Sequence, residues 1–414
     1  MAVQRPTRPH VLIVGAGPGG LVLAQCLRKQ GISYEIFDRD ANSSVRPQGW
    51  SLGLHSHLDE LESSIPDDLS DMREATHHLT PLRLNTQLAL YYNHGSTRIG
   101  VQDTPEHPCL RVHRARFRQW LCTNIPVQWD KKLTKVVDRD ENGKVELGFD
   151  DGTKARGDIV VGADGVSSVV REYLLRIPNE KILKVVPTAS IVGRVTVAGK
   201  AFERQLSLGH SSYLVPVGDL WFFNGLLEVT EVNGEWHGTY VWNYFWFVKD
   251  MEEKRYWEHE ASPSRRLQNV LENMEHVDEK FTEIVRLTGE NGIRNESLVL
   301  REAEIEELPQ DKNVTLLGDA AHAMTPFAGE GGAHSIRDAL NLAKALSQVD
   351  LSSSTHTIEA VLGPYQTEML ERGLEGLRRS RDAPTQNKQT KPFVWGQFAS
   401  EMPDEDVKLD DVKP

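Results

Sequence analysis

The run VLIVGAGPGG, Val11 to Gly20, decides how the rest of the chain is read. His10 to Val14 reads as a buried strand, and a helical pattern runs from Gly17 to Gln30 before Gly31 stops it. SYEIFD, Ser33 to Asp38, is a second strand, so the chain opens as a βαβ unit and implies a parallel sheet. Between strand and helix stands Gly15-Ala16-Gly17-Pro18-Gly19-Gly20, a GxGxxG run in its full context. Gly15 permits the tight turn, Gly17 lets a pyrophosphate approach the backbone, and Gly20 allows close helix–strand packing. The phosphates would sit on the helix N-terminus, where free N–H groups favour anions. Asp38, ending the second strand, is placed to bind ribose hydroxyls.

Two more glycine-rich stretches follow apolar strands. DIVVGADG, Asp158 to Gly165, leads into GADGVSSVVR, which ends at Arg171. Asp164 beside Gly165 suits a ribose or pyrophosphate and equally suits a capped helix start. NVTLL, Asn313 to Leu317, leads into GDAAHAMTPFAGEGGAH, Gly318 to His334. Asp319 stands at the C-terminal end of that strand, where parallel sheets place ligands. A carboxylate does not hold phosphate, but it accepts hydrogen bonds from sugar or polyol hydroxyls. Pro326, Gly329, Gly331 and Gly332 keep side chains clear of the next helix, whose first amides can face negative charge. His322 fits a structural hydrogen-bonding role better than that of a base.

At 414 residues the chain is too long for one ordinary core. Its net charge of −13 and lack of a basic face argue against nucleic acid or anionic membrane as partners. Cys26, Cys109 and Cys122 form no CxxC pattern, and no Cys/His metal set is present. MAVQRPTRPH lacks an apolar signal region, and the longest apolar run is too short and glycine-rich to span a bilayer. These features predict a cytoplasmic protein with free thiols and no bound metal. From Ala189 to Val248 the pattern turns to period two and is rich in Trp, Tyr and Phe, predicting a mostly antiparallel sheet. The expected organisation is α/β: a Rossmann-like domain of residues 1–80, 105–185 and 295–350, interleaved with a β-sheet domain of 81–104 and 186–294. A C-terminal helix over 351–385 and a tail over 386–414, its last dozen residues without structure, complete the reading.

The order GxGxxG, GADG, GDAAH is more specific than any one part. Together with LLGDAAHAMTPFAGEG (Leu316–Gly331) it resembles the FAD-dependent aromatic hydroxylases, the single-component flavoprotein monooxygenases. RPQGWSLGLH and Pro326-Phe327-Ala328-Gly329 make it most similar to the tetracycline-inactivating and salicylate-hydroxylase-like members. The resemblance implies that Gly15, Gly17 and Gly20 approach the FAD diphosphate, and that Asp38, with Arg39 beside it, holds the adenosine end. It implies that Arg46 to Gly53, Gly49 among them, line the flavin. Arg114 and Arg118 of R-x-x-F-R would reach phosphate or ribityl groups, and Asp164 and Gly165 the second motif's ligand. Gly318 and Asp319 would bind the ribityl chain, and Gly329 to Ala333 the pyrimidine edge of the ring. The chain has Asp38 where many members carry Glu, Glu330 where they carry Gln, and Ala333 where they carry Asn.

The implied activity is hydroxylation or epoxidation of a mid-sized aromatic or conjugated small molecule through a flavin C4a-hydroperoxide. NADPH or NADH would dock transiently as reductant and O2 would be co-substrate. Arg194 and Tyr213 resemble positions where relatives hold or deprotonate a phenol, and also read as an edge-strand Arg and a core Tyr. Asn224, Tyr240, Trp242 and Phe327 are the further pocket candidates. Two alternatives stand beside this reading: a flavin oxidase or reductase that inserts no oxygen, and a flavin-binding protein without turnover. The sequence leaves the oligomeric state open.

Overall fold

The computed structural model describes residues 7–45, 51–55, 57–92, 95–141, 143–218, 220–295, 298–309, 313–383 and 399–412. Arg46 and Gly49 lie outside the described residues.

The apolar runs found in the sequence become neighbours in one parallel sheet. Its order is Val314–Leu316, Ile159–Gly162, Val11–Val14, Tyr34–Phe37, Val127–Gln128. Strands buried on both faces must be apolar throughout, and Val11, Leu12, Ile13, Ile159, Val160 and Val161 have no exposed surface. The Pro18–Gln30 helix packs beside the later Gly331–Leu346 helix. Register matters more than strand count. Val14 pairs with Gly162, and Gly162 with Leu316, so three strands end in line. The loops beginning at Gly15, Ala163 and Leu317 therefore leave the same C-terminal edge side by side.

A seven-stranded sheet forms the second layer. Its order is Thr188–Ala198, Glu235–Phe247, Leu220–Val232, Ser212–Val217, Gln87–Tyr92, Thr97–Gln102, Ser400–Glu401. All its pairings are antiparallel except that of Ser212–Val217 with Gln87–Tyr92. Side chains alternate across a strand. One face carries Ile191, Tyr213, Phe222, Leu226, Tyr240, Trp242 and Tyr244, packed with Phe202, Val270, Phe281 and Ile284 from covering helices. The other carries Val192, Leu227 and Val241, and Leu90, Ile99, Leu214 and Trp221 packed on Phe327 and Ala328. This second face therefore meets the Gly318–His334 segment.

Two expectations change. The period-two stretch is interrupted by a helix, Gly199–Leu208, which starts where Gly199 turns to a φ of 53°. The acidic end is not without structure over 399–412. Ser400 and Glu401 pair with Gly100 and Ile99, and the backbone N–H groups of Val407 and Leu409 donate to Ser207 Oγ at 2.9 Å and Glu203 Oε1 at 3.0 Å. Composition suggested a solvated tail, but Met402, Val407 and Leu409, spaced among the acids, are all buried. Leu409→Ala should lower the unfolding free energy by about 2 kcal/mol, the lower end of buried Leu truncations. An unchanged denaturation midpoint would show that the end of the chain is not docked.

Candidate active site

The first loop is shaped by close packing on the second. Gly15 has a φ of 109°, and a Cβ there would overlap the Ala163 carbonyl. A Cβ on Gly20 would likewise overlap the Gly15 carbonyl, whereas one on Gly17 would meet nothing within 4 Å. Open space at the helix N-terminus is what an approaching pyrophosphate requires. Asp38 accepts from Ala16 N–H at 2.7 Å and Asp40 N–H at 2.8 Å, which fixes its carboxylate against this loop. Arg118, 1% exposed, donates to the Ala16 carbonyl at 2.8 Å, the Ser43 carbonyl at 3.0 Å and Asp40 at 3.2 Å, and stacks over Trp129. Each of its three nitrogens donates to protein, so it braces the loop. Arg39 is exposed.

The second loop divides its labour. Asp164 accepts from Ser168 Oγ at 2.5 Å, Val169 N–H at 2.8 Å and Val170 N–H at 3.3 Å, capping the Val169–Leu175 helix. Burial nevertheless raises its pKa against those stabilising bonds. Gly165, with a φ of 77°, turns the chain with open space beside it. Arg171 is fully buried and donates to the Val166 carbonyl at 2.6 Å and the Ala320 carbonyl at 3.0 Å. It ties the GADG loop to the GDAAH loop.

The third loop completes the crevice. Asp319 is open at its surface, yet the surrounding protein desolvates it enough to raise its pKa, with His322, Arg114 and Arg171 opposing the rise. A Cβ on Gly331 would stand 4.0 Å from Asp319 Oδ1, so the helix start and this carboxylate face one space. Gly318, with a φ of 60°, donates its N–H to Asp338 at 2.7 Å. His322 Nε2 lies 2.7 Å from the same carboxylate. Burial works against a charged His322, yet Asp338 holds its pKa above the ordinary value. Asp338, despite its own burial, is pulled down to about 2 by His322 and Arg372. Beyond the helix start lies a cavity of about 570 Å³, lined among others by His55, Leu88, Val101, Glu330, Ala333 and Arg379.

The chain is similar to known proteins over most of its length. A family model for the FAD binding domain matches residues 8–373. The FAD-dependent monooxygenase thnD of Trichoderma harzianum is 43% identical over 380 residues, 90% of this chain and 92% of that one. A solved structure of a Photorhabdus luminescens protein superposes with a TM-score of 0.69 at 26% identity, covering 91% of this chain and 99% of that one. HpxO of Klebsiella pneumoniae, solved with FAD and uric acid, shares the fold at a TM-score of 0.67 and 17% identity, over 91% and 89% of the two chains. The chain belongs to the FAD-dependent aromatic hydroxylase family.

It is an FAD-dependent monooxygenase, and its residues fit that cofactor. The open space at Gly17, Asp38 fixed on the neighbouring strand end, and Asp319 close to Gly331 all lie at the same C-terminal edge of the parallel sheet. Leu52 of the Ser51–Leu54 strand packs against the Gly331 helix start, since a Cβ on Gly332 would overlap its side chain. Pro326 begins the short turn that ends at Gly329, whose φ of 67° aims the chain into the Gly331 helix.

The substrate candidates separate by strand parity. Arg194, on the face that meets Phe327 and Ala328, is exposed and pairs with Glu228 at 3.5 Å. Tyr213 lies on the opposite face, wholly buried, its hydroxyl donating to Gln205 at 3.0 Å. The two thus lie on opposite faces, Arg194 on the edge strand of the sheet and Tyr213 in the helix-covered core. Asn224 donates to the same Gln205 at 3.3 Å, Trp242 Nε1 donates to Thr288 at 2.8 Å, and Tyr240 packs on Phe202. All three belong to the helix-covered core. Phe327 alone of the pocket candidates meets the other face, its ring 5.9 Å from Phe245. On that face Asn243, 1% exposed, has no hydrogen-bond partner for either amide atom among the described residues, nor does Ser190 Oγ. Both were missed in the sequence, where counting alternate residues from Phe245 finds Asn243.

Two substitutions check these assignments. Gly17→Val should fold with an unchanged circular dichroism spectrum yet bind FAD at least about tenfold more weakly, because only the cofactor's space is filled. Retained affinity by flavin fluorescence titration would place the phosphates elsewhere. Tyr213→Phe should cost about 1 kcal/mol of stability, one buried hydrogen bond, and leave the pH profile of substrate turnover unmoved. A lost alkaline limb in that profile would restore a catalytic role for the phenol.

Proposed function

We propose that the enzyme takes electrons from NAD(P)H and inserts one atom of O2 into a mid-sized aromatic or conjugated small molecule bound against the cofactor-facing side of the large sheet. The observation that carries this reading is the character of that face. Across five strands it presents Val192, Asn243, Phe223, Leu214 and Leu90 in register, with Ile99 beyond. A flat apolar floor with one buried amide suits a ring system bearing few polar groups.

Bound FAD supplies the electron-transfer chemistry that activates O2, which reacts poorly by itself with closed-shell organic molecules. The chain's residues bind, orient and exclude. Asp319 would accept hydrogen bonds from the cofactor's ribityl hydroxyls, and the first amides of the Gly331–Leu346 helix would stabilise negative charge on the reduced ring. Phe327, Phe245 and Trp221 keep water from the reacting face. Asn243 offers one donor and one acceptor edge, so it orients a substrate carbonyl or hydroxyl. The balance is NAD(P)H, a proton, O2 and substrate giving NAD(P)+, water and the oxygenated product.

Purified holoenzyme should oxidise NADPH or NADH faster when an accepted aromatic substrate is added. Under ¹⁸O2 the product should carry one ¹⁸O by mass spectrometry. Peroxide formation with no oxygenated product across a broad aromatic panel would turn the reading to an oxidase. With an accepted substrate, Asn243→Leu should raise KM at least about tenfold, the loss expected when a buried polar contact is removed.

A further inference from the structure

The Gly331–Leu346 helix is entered through Glu330, which is 6% exposed and makes no capping hydrogen bond. Its carboxylate turns instead to Arg379 of the Ile358–Asp382 helix, accepting from Nη2 at 3.1 Å and Nε at 3.3 Å. His334 Nε2 stands 3.5 Å from the same oxygen. Arg372 donates to His334 Nδ1 at 3.0 Å, and a guanidinium has only protons to offer. Nδ1 must therefore accept, which leaves the ring's proton on Nε2, facing Glu330. The packing is made for this arrangement, since a Cβ on Gly376 would come within 2.5 Å of His334 Nε2. Glu330, Ala333, His334 and Arg379 all line the 570 Å³ cavity. Arg379 also pairs with Glu375 at 2.9 Å on its outer side.

A carboxylate here has a consequence that a neutral side chain would lack. Reduction of FAD by two electrons and one proton adds one negative charge to the bound cofactor. A nearby unpaired carboxylate opposes that change, and a paired one does so much less. We propose that Arg379 is a redox-positioning residue, whose charge cancels that of Glu330 and keeps the cavity wall from opposing reduction of the flavin. This rests on the placement of the flavin at the Gly331 helix start. Burial alone would push Glu330 toward neutrality, but His334 and Arg379 hold its pKa below the ordinary value, so the pair stays ionic.

The test is the reduction potential of FAD in the holoenzyme, read against a reference dye with xanthine and xanthine oxidase as reductant. Arg379→Gln should shift the equilibrium about tenfold toward oxidised flavin, about 30 mV for a two-electron couple. Glu330→Gln should shift it in the opposite direction, and the double variant should return close to the parent. Arg379→Lys should retain most of the parental value. An unchanged or raised potential in flavin-loaded Arg379→Gln overturns the proposal, as does a Glu330→Gln potential that fails to rise. If Arg379→Gln does not fold, Glu330→Gln decides alone. Failure to bind FAD at all would strike the cofactor reading instead, whereas FAD bound at an insensitive potential strikes only the role of Arg379.

Discussion

The alignment of three parallel strand ends is the constraint on which everything else rests. Val14, Gly162 and Leu316 share one register line, and each is followed by a glycine-rich loop. A shift of one strand by a single residue would turn its buried side chains to the opposite face and separate the loops by roughly 3.3 Å. Small residues are then needed because three loops leave one edge at strand spacing. Gly15, Ala163 and Gly20 fill that contact, and Gly17 is the place left open. The pattern in the sequence records both requirements, packing and vacancy, in the same residue type.

Charge is the second organising feature. Asp338, with no exposed surface, is surrounded by Gly318 N–H, His322 and Arg372, all within 2.7 Å. An isolated buried carboxylate would be costly, whereas one with three partners ties the loop, its helix and the Ile358–Asp382 helix into one unit. Gly373 serves this arrangement, as Gly376 does for His334, because a Cβ there would collide with the His322 ring. The last long helix thus acts as a brace that delivers arginines to acids beneath the cofactor crevice.

The sequence made the cofactor half legible because its signals are local. A strand, a glycine run and a helix are contiguous, and Asp38 follows directly from a strand end, Asp319 three residues after one. The roles of Arg118 and Asp164 were less visible: whether a cation or a cap faces ligand or backbone depends on partners distant in sequence, such as Ala16 for Arg118. The substrate half was legible as a sheet but not as a face. Period two fixes that Tyr213 and Leu214 point oppositely, without saying which side the helices cover. That is settled by Phe202, Val270 and Phe281, which lie outside the strands. The docked chain end was hidden for a related reason, since three buried side chains among many acids leave little trace in composition.

The two faces of the large sheet differ in what a substitution there does. Trp242 and Gly193 interlock so tightly that a Cβ on the glycine would overlap the indole, and Trp242 is further tied to Thr288. Changes on that side act on stability through cavities and strain. On the other side Asn243, Val192 and Phe223 stand in the same row with few polar ties to the protein. Changes there alter what the floor presents while leaving the helix-covered core intact. The strand alternation therefore separates stability from specificity residue by residue. The three aligned strands of the parallel sheet, buried on both faces, have no such freedom and serve to set out the loops at its edge.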